Sequence, residues 1–181
     1  MVFKKSDEQL IAAALKGHKK AWLNLVKRYE QGLFNYAQRM TGNQDDALDL
    51  LQEVFMAVFR NLPTFRGDAS FKSWLYRIAH YRCMEFYRRK RQHLDLDEAD
   101  EPVCAQPCPE QRHGEQQQNK QLAQAMQQLP FAQKAVVELK FFGQFTFEEI
   151  AEQLDISTNT AKSRLYAALE KLRTLMEVEY V

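Results

Sequence analysis

The sequence predicts an all-α protein: two small helical domains joined by a flexible acidic linker, the second domain carrying a helix-turn-helix. Three observations predict it. Apolar residues recur at spacings of three and four along most of the chain, the period of a half-buried helix. No segment shows the two-residue alternation of a strand. Between residues 93 and 119 the periodicity gives way to Pro102, Pro107, Pro109, Gly114, acids and glutamines, with few large apolar side chains. Such a composition buries too little surface to offset the entropy of ordering the chain. The expected division is a domain at 1–92, a linker at 93–119 and a domain at 120–181.

The first helix is signalled by Ser6 and Gln9, the spacing of a capping box, and by Leu10, Ile11, Ala14 and Leu15, ending at Gly17. A second, long helix carries Trp22, Leu25, Val26, Tyr29, Leu33, Tyr36, Ala37 and Met40 on one side and closes at Gly42. A third runs from about Asp45 to Asn61. Ala47, Leu50, Leu51, Val54, Phe55, Val58 and Phe59 are expected on its inward face. Pro63 and Gly67 mark a turn region. The fourth helix starts near Ser70 and turns Phe71, Trp74, Leu75 and Ile78 inward. Beyond the linker, Leu122, Ala125, Met126 and Leu129 precede Pro130, and Ala135, Val136, Leu139 and Phe142 lead to Gly143.

Charge is segregated although the formal net charge is only +1. Tyr76 to Gln92 holds Arg77, Arg82, Arg88, Arg89, Lys90 and Arg91 against Glu85 alone, whereas Leu94 to Glu115 holds seven acids and one base, Arg112. A basic helix end interleaved with Tyr81, Phe86 and Tyr87 suits single-stranded nucleic acid, which is held by cationic grooves and aromatic stacking. No apolar run is long enough to span a membrane, and the N-terminus leads straight into polar sequence, so no membrane insertion and a cytoplasmic protein are expected. Cys83, Cys104 and Cys108 make an odd count without a secretion signal, which argues against a disulfide framework. Cys104 and Cys108, flanked by His93 and His113, lie too loosely for a zinc finger, and no metal or cofactor site is assigned. No paired catalytic carboxylates, nucleophile motif or phosphate loop points to an enzyme.

The most specific local pattern is Phe145 to Arg173. Thr146 and Glu149 form a capping box, Phe147, Ile150, Ala151 and Leu154 face inward, Asp155-Ile156-Ser157 makes a turn, and a second helix turns Ala161, Leu165, Ala168, Leu169 and Leu172 inward. Thr158, Asn159, Thr160, Lys162, Ser163, Arg164 and Tyr166 are left near the start of that helix, where they suit phosphates and base edges, and Ile156 to Leu169 contains no acid.

These residues resemble a known family. Leu129-Pro130, Ala135-Val136-Val137, Leu139, Gly143, Phe147 to Ala151, Leu154, Ile156, Thr160 and Lys162 to Leu165 are similar to the fourth conserved region of extracytoplasmic-function (group four) bacterial RNA polymerase sigma factors. Asp45 to Arg66 and Phe65 to Arg91 resemble the second region. The resemblance implies a factor that directs core RNA polymerase to promoters and assists melting. Its second domain would read the −35 element as duplex through the seven residues just named. Its first domain would hold the melted −10 element through Arg66, Phe71, Lys72, Tyr81, Arg88, Arg89 and Arg91. Asp46, Asp49, Gln52, Glu53 and Phe55 would bind the clamp helices of the largest polymerase subunit, the second domain the flap, and the linker would thread the RNA channel. An anti-sigma factor is a further implied partner. The chain departs from the family pattern at Leu48, where an acid is common, Tyr81, where Asn is common, Asn159, where Gly is common, and Ala167 and Leu169, where Arg is common. The other reading open to the residues is a stand-alone helix-turn-helix regulator with an N-terminal sensing domain.

Overall fold

Several helices begin or end where local chemistry satisfies their free backbone groups. The computed structural model describes residues 5–94 and 115–177. Helix α1 (Asp7–Leu15) is opened by the Ser6 and Gln9 capping box. Helix α2 (Lys19–Thr41) stops at Gly42, whose φ of 75° is a left-handed conformation that glycine adopts without strain. The Asn43 side chain then accepts from the amides of Asp45 and Asp46 and starts α3 (Gln44–Asn61). A short 3₁₀ turn at Leu62–Thr64 leads into the loop at 65–70. The Ser70 hydroxyl accepts from the Ser73 amide at the start of α4 (Phe71–Leu94).

The second half contains α5 (Glu115–Gln127), α6 (Phe131–Val137), α7 (Phe147–Leu154) and α8 (Thr158–Glu177). After Val137 the helix widens into a π-turn over Glu138–Phe142, closed by the Gly143 amide donating to the Glu138 carbonyl at 2.8 Å. Glycine is required at 143 by space: a Cβ there would stand 2.6 Å from the Phe145 ring and 2.7 Å from the Leu139 carbonyl oxygen. Thr146 and Glu149 form the expected capping box, and Asp155, with φ 54°, closes α7 in the left-handed region. Among the described residues there is no strand, as the periodicity predicts.

Two borders differ from the sequence reading. Helix α4 continues to Leu94 and α5 already starts at Glu115, so the two ends of the expected linker are helical. The glutamine-rich stretch after Glu115 is made of good helix formers and has no breaker. Residues 95–114, with Cys104, Cys108 and most of the acids, lie outside the described residues.

The four N-terminal helices bury Leu10, Leu25, Leu33, Met40, Ala47, Leu50, Val54, Leu75 and Cys83. The C-terminal helices bury Met126, Ala135, Val136, Leu139, Ile150, Ala161 and Ala168. Each large side chain withdrawn from water contributes about 1.5–3 kcal/mol. The two sets join into one continuous apolar cluster. Sequence reasoning treats the domains as separate, but here they pack together: α4 lies against α7, and α2 against α5, α6 and the π-turn.

Polar side chains also cross the seam beside that apolar cluster. Arg39 of α2 donates to both carboxylate oxygens of Glu138 at 2.7 and 2.8 Å, and its guanidinium lies 3.9 Å from the centre of the Phe142 ring. Lys134 donates to the Met40 carbonyl at 3.3 Å and to Gln127 Oε1 at 2.8 Å, while Gln127 Nε2 donates to the Arg39 carbonyl at 2.8 Å. These bonds serve carbonyls at the C-terminus of α2 that have no partner within the helix. Phe131 stacks on His80 and meets Tyr87 edge-on. Phe142, expected inward, is half exposed because the π-turn rotates it towards Arg39.

Candidate nucleic-acid interface

Helix α8 is started by Ser157, whose hydroxyl accepts from the Thr160 amide at 3.0 Å. Ala161, Leu165, Ala168 and Leu172 are drawn into the core. That orientation leaves Asn159, Lys162, Ser163 and Tyr166 exposed, at positions i, i+3, i+4 and i+7 of one helical face. Tyr166 is 66% exposed, far more than packing alone leaves a tyrosine. Thr158 and Thr160 are half-buried at the helix start. Arg164 points elsewhere: it is half-buried, and its charge acts on His80 of α4. Six of the seven residues expected to read duplex DNA therefore lie at the helix start or on its outward face, and Arg164 turns to the domain seam. Leu169, expected inward, is 37% exposed on the solvent side.

The second surface is the loop at 65–70 and the helix after it. The loop is held from behind by Phe71, whose ring meets Tyr29, Phe65 and Trp74 at centroid distances of 5.6, 5.6 and 5.7 Å. Phe71, expected to contact −10 DNA, is 5% exposed and packs on the core side of the loop. Trp74, expected as core, is half-buried and forms a wall of a cavity of about 220 Å³ together with Arg66, Ser73 and Arg77. Tyr81 is exposed beside Arg77, whose guanidinium lies 5.9 Å from its ring centre. Arg88, Arg89 and Arg91 are exposed further along α4. Lys72 is turned to the second domain, where it donates to the Gly143 carbonyl at 2.7 Å.

The third surface is α3. Asp49 and Gln52 are exposed. Asp46 and Glu53 are half-buried and face α4, where Lys90 lies 3.2 Å from Asp46 and Arg89 lies 2.9 Å from Glu53. Phe55 is half-buried, edge-on to Trp22. Beside them runs an open apolar groove of about 590 Å³ walled by Trp22, Leu23, Leu48, Met56 and Phe59. Phe59, expected inward, is 60% exposed. Sequence reasoning misses this groove. The signal was present: Leu48, Gln52, Phe55, Met56 and Phe59 repeat at helical spacing, a second stripe beside Ala47, Leu50, Val54 and Val58. The unusual Leu48 belongs to it.

Buried ionisable groups mark the seam. Burial pushes the Glu138 carboxyl up to about 7 against the opposing pull of Arg39 and Lys134. Burial takes the Lys134 ammonium down to about 8, and burial with the nearby Arg164 takes His80 down to about 4. Cys83 is fully buried and its thiol is raised to about 12 by burial.

An all-helical chain with a basic, aromatic helix after a cavity-forming loop, followed by a helix-turn-helix, defines a class of two-region DNA-binding transcription proteins. The family model for sigma-70 region 2 matches residues 25–93, and that for sigma-70, region 4 matches residues 119–172. RNA polymerase sigma factor SigV of Bacillus subtilis (strain 168) is 30% identical over 176 residues, 97% of this chain and 96% of that protein. The solved complex of sigma factor RpoE with anti-sigma factor NepR from Bartonella quintana is similar in fold, with a TM-score of 0.74 at 21% identity over 88% of this chain and 98% of that one. CnrH in complex with the cytosolic domain of CnrY is likewise similar, with a TM-score of 0.71 at 23% identity over 96% and 99%. The chain belongs to the extracytoplasmic-function group of bacterial RNA polymerase sigma factors.

Proposed function

We propose that this chain acts by dividing promoter recognition between its two domains while seated on core RNA polymerase. It is a sigma factor that directs core enzyme to promoters and assists opening at −10. The observation that carries the division of labour is the pairing, on one chain, of an outward helix face built for duplex DNA with a cationic, aromatic-walled cavity of nucleobase size.

Asn159, Lys162, Ser163 and Tyr166 read or grip the −35 duplex from the major groove, with Thr158 and Thr160 at the helix start near phosphate. Arg66, Trp74 and Arg77 receive a flipped base of the −10 element, and Tyr81, Arg88, Arg89 and Arg91 carry the non-template strand beyond it. A stacked base recovers about 1–3 kcal/mol, enough to offset much of the cost of unstacking it. Asp46, Asp49, Gln52, Glu53 and Phe55 meet the clamp helices of the largest subunit, with the apolar groove around Leu48 adding buried area. The flap binds the second domain. An anti-sigma factor, a cytoplasmic location and a purely non-enzymatic role complete the reading; the polymerase performs the chemistry. No described helix is long and apolar enough to cross a membrane.

The test is run-off transcription with purified protein and core polymerase on genomic fragments. Start sites that need this chain are expected. A chain that binds duplex operators tightly, ignores core polymerase in a pull-down and starts no transcript is instead a stand-alone regulator.

A further inference from the structure

Two stretches of the first domain contain no acid. Gln9 to Tyr29 holds Lys16, Lys19, Lys20, Lys27 and Arg28, and Val54 to Gly67 holds Arg60 and Arg66. The fold brings the two stretches to one end of the helix bundle. Trp22, near the start of α2, meets Phe59, near the end of α3, with ring centroids 5.1 Å apart, and α1 touches the 3₁₀ turn at Leu62–Thr64. The turn between α1 and α2 therefore lies beside the segment that leads into the 65–70 loop. Arg28 is taken by Asp7. Lys16, Lys19, Lys20, Arg60 and Arg66 are exposed, and none of them pairs with an acid among the described residues. The adjoining loop holds one acid, Asp68. No side chain caps the start of α2, and its first turn holds no acid, so the positive end of the helix dipole adds to the lysines. A Cβ at Gly17 or Gly67 would meet nothing within 4 Å, so both turns have open space before them. The start of α3 is the reverse, with Asp45, Asp46, Asp49 and Glu53 and no base from Met40 to Phe59. A solvated surface usually interleaves the two signs; separating them leaves a standing positive field at the loop end.

We infer that Lys16, Lys19, Lys20 and Arg60 form a phosphate track for single-stranded DNA, which carries the strand past the cavity on the side away from Arg88, Arg89 and Arg91. This rests on the −10 reading of the cavity. A base held between Arg66, Trp74 and Arg77 leaves a flank of strand on either side of it. One flank follows α4 to its basic end, which lies at the far end of the bundle, where Lys90 reaches Asp46 at the start of α3. The other flank has to leave over the turn between α1 and α2, and there it meets cations that no acid of the described residues neutralises. Lysine ammonium groups hold phosphate as point charges on flexible stems and carry no base code, so this track grips any sequence alike. Arg66 stands at the junction, at the cavity and at the end of the track.

The experiment uses holoenzyme assembled from the full chain and core polymerase, on a premelted template of a promoter found by run-off transcription. Lys19→benzoylphenylalanine and Tyr81→benzoylphenylalanine place a photo-crosslinker at two exposed positions, one on each proposed flank. Both are expected to crosslink to the non-template single strand, at nucleotides on opposite sides of the flipped base. In parallel, the combined variant Lys16→Gln, Lys19→Gln and Lys20→Gln, checked for helicity by circular dichroism, is titrated with the same template at several salt concentrations. Its slope of log affinity against log salt should be shallower than wild type by about 2, since each single-strand phosphate contributes about 0.7. If Tyr81 reaches the single strand but Lys19 crosslinks to nothing, to duplex DNA, to a polymerase subunit or on the same side as Tyr81, the inference is overturned and the −10 reading stands. A slope within about 0.5 of wild type overturns it equally. If Tyr81 does not reach the non-template strand, the −10 reading falls first and the inference with it.

Discussion

The two surfaces proposed to meet DNA differ in how far they are open to solvent. The outward face of α8 is open along Asn159, Lys162, Ser163 and Tyr166, while the cavity of the first domain has Gln153 of α7 in its wall and its Lys72 is engaged by Gly143. The residues of the first surface stand on a helix packed against α5, α6 and α7, all within the second domain. The second surface depends on a buried, charged seam that joins α2 and α4 to α6 and α7. A surface for paired DNA can wait in solvent, because a duplex presents its groove whole.

The strongest way to break this contrast is to orphan a charge in the seam. Arg39→Ala leaves the fully buried Glu138 carboxyl without the Nε–H that its two oxygens share. A loss of about 1–3 kcal/mol in urea-unfolding stability is expected at neutral pH, because Glu138, already raised to about 7, takes up a proton once Arg39 is gone and is left as a buried acid short of a hydrogen bond. A loss under 1 kcal/mol would mean that the seam is open in solution.

Acid probes the same seam through His80. Its folded-state pKa, about 4, lies below the ordinary 6.5, so the neutral ring is favoured in the fold. The stability it supports is complete above pH 6.5 and is lost as pH falls towards 4, where the unfolded chain takes up a proton that the fold resists. Relative to His80→Phe, wild type should lose up to about 3 kcal/mol across that window. Glu138, with its pKa raised to about 7, drifts the other way, gaining as pH falls, but does so in both proteins and cancels in the difference. Parallel stability curves for the two proteins would refute this reading of His80.

On the open surface the effects are smaller and fall on binding. Asn159→Ala should cost about 1–3 kcal/mol against the cognate −35 duplex and relax preference at one base pair. Lys162→Ala should weaken all duplexes alike and lower the slope of log affinity against log salt by about one. Smallest is Glu53→Gln, which unpairs Arg89 at a partly exposed site and should change stability by less than about 1 kcal/mol in thermal unfolding.

Much of the open surface was legible in the sequence, and little of the seam was. The caps at Ser6 and Thr146, the stop at Gly42 and the turn at Asp155 are local devices, so spacing alone finds them, whereas the Asn43 cap is seen only in the structure. The outward face of α8 follows from the inward one. Lys134, Glu138, Gln153 and Ser73 look like surface residues because their types usually are; they are buried by partners tens of residues away, as Gln153 is by Ser73. Phe71 misled in the opposite sense, since an aromatic beside a DNA-binding loop fits stacking and packing equally until Tyr29 and Phe65 are seen against it. Phe59 was assigned inward by its place in an apolar stripe, and the helix carries two such stripes.

The bridges between α3 and α4 have a last consequence. Arg89 rests on Glu53 and Lys90 on Asp46, so cations of the run proposed to track the strand neutralise carboxylates on the helix proposed to face the clamp. A backbone phosphate that captures either cation hands a bare anion to the neighbouring helix, and a basic subunit that captures either anion returns a bare cation to the first. Thermodynamic reciprocity then requires that nucleic acid and enzyme each tighten the hold of the other, through side chains that touch both and without any shift of the backbone.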